Sequence, residues 1–230
     1  LFFHPIMKTL TTPRFTFSLT VFAVLMIGQT IIAASAPAAG TSSPSATTAK
    51  SAASASTAKP ADDKKLPPKV GDTAPDFTLK GLDGKAVELK ELTAKKPVLL
   101  TVLRGWPGYQ CPICNALVHN YILQAPEFAK QDVQLVFVYP GPSADLTAHA
   151  ADFLHDKIWP KEYLFVIDPD YTFTNAYALR WDAKNETAYP SSFIIDKENK
   201  VRFVHISHTH ADRVEPDAAL KALAAIKPVK

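Results

Sequence analysis

Only two cysteines occur in the 230 residues, Cys111 and Cys114. That scarcity excludes a multi-disulfide scaffold, and two sulfurs by themselves leave a tetrahedral zinc site short of ligands. The chain also lacks a glycine-rich phosphate loop, a serine-nucleophile motif and any internal repeat, so the common nucleotide-binding, serine-hydrolase and solenoid readings have no support. A strong charge imbalance is missing as well. The formal charge is +3, and Lys8 and Arg14 precede Pro37 in a segment without Asp or Glu, so the remainder carries about +1. Nothing there favours nucleic acid as a partner. No cysteine lies near the N-terminal apolar run, which excludes a cysteine-linked lipid anchor.

That run, over 15–34, follows Lys8 and Arg14, contains no charge, and ends in Ala34-Ser35-Ala36 and Ala36-Pro37-Ala38. Both triplets have the form cut by signal peptidases, so residues 1–36 read as a signal peptide. The alternative is an uncleaved membrane anchor, because the run approaches the ~20 residues that span a bilayer; Gly28, Gln29 and Thr30 interrupt it and favour removal. Either outcome places the main body outside the cytoplasm, secreted or periplasmic, where disulfides persist. Residues 37–66 are almost entirely Ala, Ser, Thr, Pro and Lys, with Leu66 the only large aliphatic. Such a stretch buries too little apolar surface to offset its ordering entropy, and a disordered linker is expected, either a working spacer or a passive remnant. Residues 67–230 suffice for one domain with one core.

Within that domain, alternation at 77–79, the Asp83-Gly84 turn and a return over 86–89 predict an N-terminal β-hairpin. The continuous apolar run 98–103 predicts a strand covered on both faces. Leu117, Val118, Tyr121 and Ile122 fall at helical spacing, so a helix begins near Cys111, and Pro126 should break it. Further strands are expected over 133–139 and 164–167, with a helix between them capped by Ser143, carrying Asp145 in its first turn and ending near Trp159-Pro160. A short helical segment around 173–179, an antiparallel pair over 192–195 and 201–206, and a last helix opened by Pro216 and closed at Lys227-Pro228 complete an α/β order.

The chemistry concentrates where the 98–103 strand runs into the helix, at Arg104-Gly105-Trp106-Pro107-Gly108-Tyr109-Gln110-Cys111-Pro112-Ile113-Cys114. Two intervening residues let the sulfurs meet within one helical turn, and a helix N-terminus stabilises a thiolate at the first. A purely structural disulfide is disfavoured, because closing so short a loop stabilises by only about 2 kcal/mol before strain. Trp106 and Tyr109 are candidates for shaping the mouth of the site. Asp76 and Glu88 would assist proton transfer only if they lay near the sulfurs; surface or turn positions are the simpler assignment.

Gly71-Asp72-x-Ala74-Pro75-Asp76-Phe77, Leu82-Asp83-Gly84-Lys85 and Ser192-Phe193-Ile194-Ile195-Asp196, together with the Cys-Pro-x-Cys, resemble the thioredoxin-fold redoxins, and among them the alkyl hydroperoxide reductase/thiol-specific antioxidant (peroxiredoxin-like) group. The resemblance covers most of 67–230. It implies a thioredoxin-like fold, a central mixed sheet flanked by helices with an N-terminal β-hairpin. It also implies an oxidoreductase that needs no cofactor, cycles through a Cys111–Cys114 redox disulfide, acts on a protein or small-molecule thiol/disulfide substrate with peroxide as another oxidant, and relies on a reducing partner protein.

Two alignments within this group overlap. On the peroxidase pattern Pro-x-x-x-Thr-x-x-Cys, Pro107 matches the proline, Cys111 takes the place of the threonine, and Cys114 is the peroxide-attacking cysteine. On the disulfide-reductase pattern, Cys111 attacks and Cys114 resolves. Pro190 stands where disulfide reductases carry a cis-proline facing the site and where peroxidases usually carry an arginine; Arg104, Arg180 or Arg202 would have to substitute. Dithiol–disulfide exchange therefore ranks above dedicated peroxidase activity. A different class stays open: a copper- or zinc-binding, or partner-binding, module that combines Cys111 and Cys114 with His205, His208 and His210. Surface or loop histidines are the simpler assignment, and no metal is expected.

Overall fold

The computed structural model describes residues 65–226. The expected signal peptide or anchor, all but the last two residues of the expected linker, and the Lys227-Pro228 helix end lie outside them. Among the described residues, no helix is long and apolar enough to cross a membrane.

The elements are β1 (Thr78–Gly81), β2 (Ala86–Glu88), α1 (Leu89–Thr93), β3 (Val98–Val102), α2 (Pro112–Leu123), α3 (Ala125–Ala129), β4 (Gln134–Gly141), α4 (Leu146–Leu154), β5 (Tyr163–Pro169), α5 (Thr172–Ala176), β6 (Ser191–Ile195), β7 (Val201–Ile206) and α6 (Pro216–Ala225). The strands form one sheet in the order β2-β1-β5-β4-β3-β6-β7. β3, β4 and β5 run parallel, while the β1–β2 hairpin and the β6–β7 pair join antiparallel on either side. This is the expected mixed sheet with its hairpin at one edge.

The uninterrupted apolar runs of the central strands follow from helices lying on both faces. Leu99, Leu135, Phe137, Tyr139, Phe165 and Ile194 point to one side and pack with Leu117, Val118 and Tyr121 of α2, Leu146, Ala150 and Phe153 of α4, and Ala219 of α6. Their strand neighbours Val98, Leu100, Val102, Val136, Val138, Val166 and Phe193 point to the other, against Phe173, Tyr177 and Leu179. A period of two in side-chain direction sorts the strands into these layers. Each fully buried Val, Leu or Phe contributes about 2 kcal/mol relative to exposure, so the two layers fix the register of the strands. Both cysteines belong to the α2 face.

Two local expectations are corrected. The helix after β4 takes Asp145, at φ +56°, as its N-cap residue with no side-chain cap; the Ser143 amide instead donates to the Asp170 carboxylate (2.9 Å). The same helix stops at Leu154, short of Trp159. There Lys157 Nζ donates to the Phe153 carbonyl (2.7 Å), and Trp159 turns inward to pack edge-on against Phe137, Tyr163 and Phe165 while its indole N–H donates to the Tyr163 carbonyl (2.9 Å). Tertiary packing of one large ring thus outweighs further helical turns. The single-turn helix α1 has no counterpart in the sequence reading.

Candidate active site

β3 carries the chain to the carboxyl end of the parallel strands, where open α/β sheets place their chemistry. Beyond Val102, the Leu103 amide donates to the Val138 carbonyl and the Trp106 amide to the Pro140 carbonyl (both 2.9 Å), which pins the turn to the end of β4. Gly105 makes this possible: its φ is +71°, and a Cβ there would lie 1.9 Å from the Pro140 oxygen. Trp106 stacks on His149 of α4 (3.6 Å between rings, 11° apart). Gln110 donates to the His149 carbonyl (2.8 Å) and the Asp152 carboxylate (3.1 Å) and accepts from the Tyr139 hydroxyl (2.9 Å). Pro107 sits half-buried in this pinned loop.

The loop delivers Cys111 as the N-cap residue of α2, with Pro112 at the first helical position, where its missing N–H costs nothing. Cys111 Sγ accepts from the Cys114 amide (3.3 Å). Both cysteines are free thiols and both are buried, Cys111 at 2% exposure and Cys114 at 1%. The two sulfurs are electrostatically unequal. A hydrogen bond from the Cys114 thiol, joined by the Cys114 amide and the positive charges of Arg213 and Arg104, overcomes desolvation and pushes the Cys111 thiol down to about 5. Burial, followed by the hydrogen bond it gives to Cys111, pushes the Cys114 thiol well up. Near neutral pH, Cys111 is the thiolate and Cys114 holds the shared proton.

Among the described residues two cations contribute to that field, and one of them keeps donors to spare. Arg104 is spent: Nε donates to Glu186 Oε2 (2.7 Å), Nη2 to the Asn185 carbonyl (2.6 Å), and Nη1 to the Tyr109 hydroxyl (2.6 Å). Burial alone would push the Glu186 carboxyl up, but hydrogen bonds from Arg104 and His210 bring it below its ordinary value. Arg213 places Nη2 at 3.9 Å from Cys111 Sγ, anchors Nε on the His210 carbonyl (3.0 Å), and pairs with no carboxylate among the described residues. Sequence reasoning missed Arg213, which lies 102 residues from Cys111 in no pattern that marks it, and assigned no role to Gln110 although it stands within the Arg104–Cys114 stretch.

Other expected residues are redistributed. No cis peptide bond occurs among the described residues, so the Tyr189–Pro190 bond is trans. Pro190 is buried, and its carbonyl accepts from the Ser207 amide (2.8 Å). The disulfide-reductase pattern carries a cis-proline at this position, and here the bond is trans. Arg180 donates to the Thr187 carbonyl (2.6 Å) and covers the Tyr171 ring, while Arg202 pairs with Asp196; neither is the substitute cation. Tyr109 is half exposed beside Arg104. Asp76 pairs with Lys90 (3.2 Å), and Glu88 lies in β2 at the far edge of the sheet. The three histidines find separate partners: His205 Nε2 approaches Asp212 (3.2 Å), His208 packs on Tyr189, and His210 bonds Glu186 (2.8 Å). Among the described residues no three His, Cys, Asp or Glu side chains gather as metal ligands, so the proposed Cys–His metal cluster is not assembled.

The family model described as Redoxin matches residues 69–223. A curated Helicobacter pylori protein named as a peroxiredoxin, bcp, is 36% identical over 75 residues, 33% of this chain and 47% of that protein. The chain thus spans about half the length of the curated relative it matches. Among solved structures, the fold resembles peroxidoxin BcpB from Mycobacterium tuberculosis (TM-score 0.55, 24% identity, 70% of this chain and 99% of that one). It also resembles reduced Prx3 from Vibrio vulnificus in complex with hydrogen peroxide (TM-score 0.57, 24% identity, 68% and 96%).

Proposed function

Since this chain belongs to the redoxin family, we propose that it is a thiol-dependent oxidoreductase in which the Cys111 thiolate reduces a peroxide and Cys114 resolves the product. The observation that carries this reading is the paired environment of the sulfurs: Cys111 at a helix N-cap, facing an Arg213 that no carboxylate among the described residues neutralises, and Cys114 buried with its proton retained.

The Cys111 thiolate attacks one peroxide oxygen, the O–O bond breaks, and the leaving alkoxide or hydroxide takes a proton from solvent. Cys111 becomes a sulfenic acid. Cys114 then attacks that sulfur; its thiol proton and the sulfenic hydroxyl leave together as water, and the Cys111–Cys114 disulfide forms. Two thiols of a reducing partner return both sulfurs to the reduced state and are themselves oxidised to a disulfide. The residual donors of Arg213 suit an oxygen on which negative charge develops. A cysteine in the position of the family threonine moves the first attack from Cys114 to Cys111, in agreement with the lower thiol pKa there.

Burial of Cys111 favours a small oxidant, since a protein disulfide would have to displace the pinned loop to reach the sulfur. Dithiol–disulfide exchange is the second reading, favoured by the Cys-Pro-Ile-Cys spacing, and it uses the same nucleophile. The N-terminal sequence supports placing either reaction outside the cytoplasm, with 37–66 as a tether.

Peroxide consumption with a dithiol reductant, compared among wild type, Cys111→Ser and Cys114→Ser, tests the assignment. Cys111→Ser should abolish turnover. Once freed of reductant, Cys114→Ser should reduce one equivalent of peroxide and leave a trappable sulfenic acid on Cys111. Turnover that survives loss of Cys111 but not of Cys114 would reverse the roles, and full activity in both variants would sink the mechanism.

A further inference from the structure

Thr101 of β3, Ser191 and Ser192 of β6, His205 of β7 and Arg213, together with the apolar Val102, Leu117 and Val214, line a small cavity of about 10 Å³, close to the space one water molecule requires. Three of its lining groups carry buried polar atoms outside any hydrogen bond of good geometry among the described residues: Thr101 Oγ1, which approaches the Tyr121 hydroxyl, His205 Nε2 and Arg213 Nη1. Thr101 is almost completely buried. His205 Nε2 lies 3.2 Å from Asp212 but out of line for a hydrogen bond to it. Leaving three such groups unpaired in one place would cost about 1–3 kcal/mol each, a penalty folded proteins rarely carry. A water accepts from a guanidinium N–H and turns its own hydrogens toward a hydroxyl and an imidazole nitrogen, so one molecule meets all three.

We propose that this cavity is a binding site for one structural water held by Thr101, His205 and Arg213, and that the water positions the Arg213 guanidinium against Cys111. Nε of Arg213 is fixed on the His210 carbonyl and Nη2 faces Cys111 Sγ, which leaves buried Nη1 as the nitrogen of this cavity-lining side chain without a partner among the described residues. With that nitrogen tethered, the plane of the guanidinium is set by three points. Thr101 and His205 then act on the thiolate through Arg213 and the water, without touching the sulfur. The inference rests on the reading of Cys111 as the attacking thiolate. Around that sulfur, the titratable and charged groups are Arg213, Arg104, Cys114 and, on β4, Tyr139.

The pH dependence of iodoacetamide alkylation of the reduced protein, with the labelled cysteine identified by mass spectrometry, tests the proposal. Thr101→Val keeps the side-chain shape and removes the hydroxyl; it should raise the Cys111 midpoint by about half a pH unit and slow labelling near pH 5 about twofold to threefold. Thr101→Ser restores the hydroxyl and should restore the low midpoint. A valine profile that superimposes on wild type, or a serine profile displaced as far as the valine one, would overturn the water link while leaving Cys111 as the low-pH nucleophile. Low-pH labelling at Cys114 in the wild type would overturn the parent reading and the inference with it. A high-resolution crystal structure of the wild type gives an independent check: a water within hydrogen-bond distance of Thr101 Oγ1, His205 Nε2 and Arg213 Nη1 is expected, and a dry cavity would refute the proposal.

Discussion

Replacing Arg213 with methionine removes one positive charge 3.9 Å from Cys111 Sγ while keeping a long, flexible side chain in its place. Coulomb's law at that separation brackets the loss between about 1 kcal/mol in water and about 4 kcal/mol at an effective dielectric constant of 20. Arg213 is partly exposed, so solvent screening places the value toward the lower bound, near 1.4 kcal/mol, or about one pH unit. Arg104 cannot compensate, because its charge is neutralised by Glu186. The Cys114 thiol and amide hydrogen bonds remain, so the midpoint should rise from about 5 to about 6 and stop well short of an ordinary thiol. Alkylation rates of the reduced protein between pH 4 and 9 measure it.

At pH 7 both proteins are mostly thiolate, so their alkylation rates should agree within about twofold. Peroxide reduction should nevertheless fall by about tenfold or more, since the charge that builds on the leaving oxygen loses its partner. A midpoint unchanged within a few tenths of a unit would refute the electrostatic role. A loss of peroxide reduction no larger than the loss of alkylation would refute a role beyond the thiolate.

Glu186→Gln leaves the buried Arg104 guanidinium without its counter-charge and should destabilise the fold by about 3 kcal/mol while lowering the Cys111 midpoint, measured by urea unfolding and by alkylation. Gly105→Ala forces a Cβ to 1.9 Å from the Pro140 oxygen at φ +71°; loss of more than about 2 kcal/mol and of peroxide turnover is expected, and near-wild-type stability would mean that the turn relaxes freely. The depressed Cys111 value also links stability to pH. The unfolded chain holds that proton up to about 8.5, whereas the folded chain releases it near 5, so in this window the unfolded state binds more protons and stability rises with pH. The slope reaches at most about 1.4 kcal/mol per unit and is lost as pH falls through 5. Cys111→Ser should remove this component from the pH dependence of urea unfolding of the reduced protein, and equal slopes in the two proteins would contradict the shift.

The strands and most helices were legible because their signals are local. The unbroken apolar run before Arg104 marks a strand covered on two faces, Asp83-Gly84 marks a hairpin, and Pro126 and Pro216 sit at helix starts because a ring without an N–H is tolerated there. The boundaries of α4 were less legible: Asp145 adopts a left-handed conformation, and Trp159 is drawn into a ring cluster assembled from β4 and β5. At the site, Cys111, Cys114, Arg104 and Trp106 were visible in one stretch of chain. Arg213 was not, and Gln110, though in that stretch, showed no role, since each matters only through contacts with segments distant in sequence.

By itself the sequence determined that two sulfurs stand three residues apart where a strand turns into a helix, because spacing, an apolar run and a proline at the first helical position act within a few residues of chain. Only the tertiary structure decided which sulfur is acidic and which cation faces it. That outcome depends on burial and on a guanidinium brought from beyond β7 to the Cys111 sulfur, and electrostatic fields depend on distance in space, with no trace of it in the order of residues.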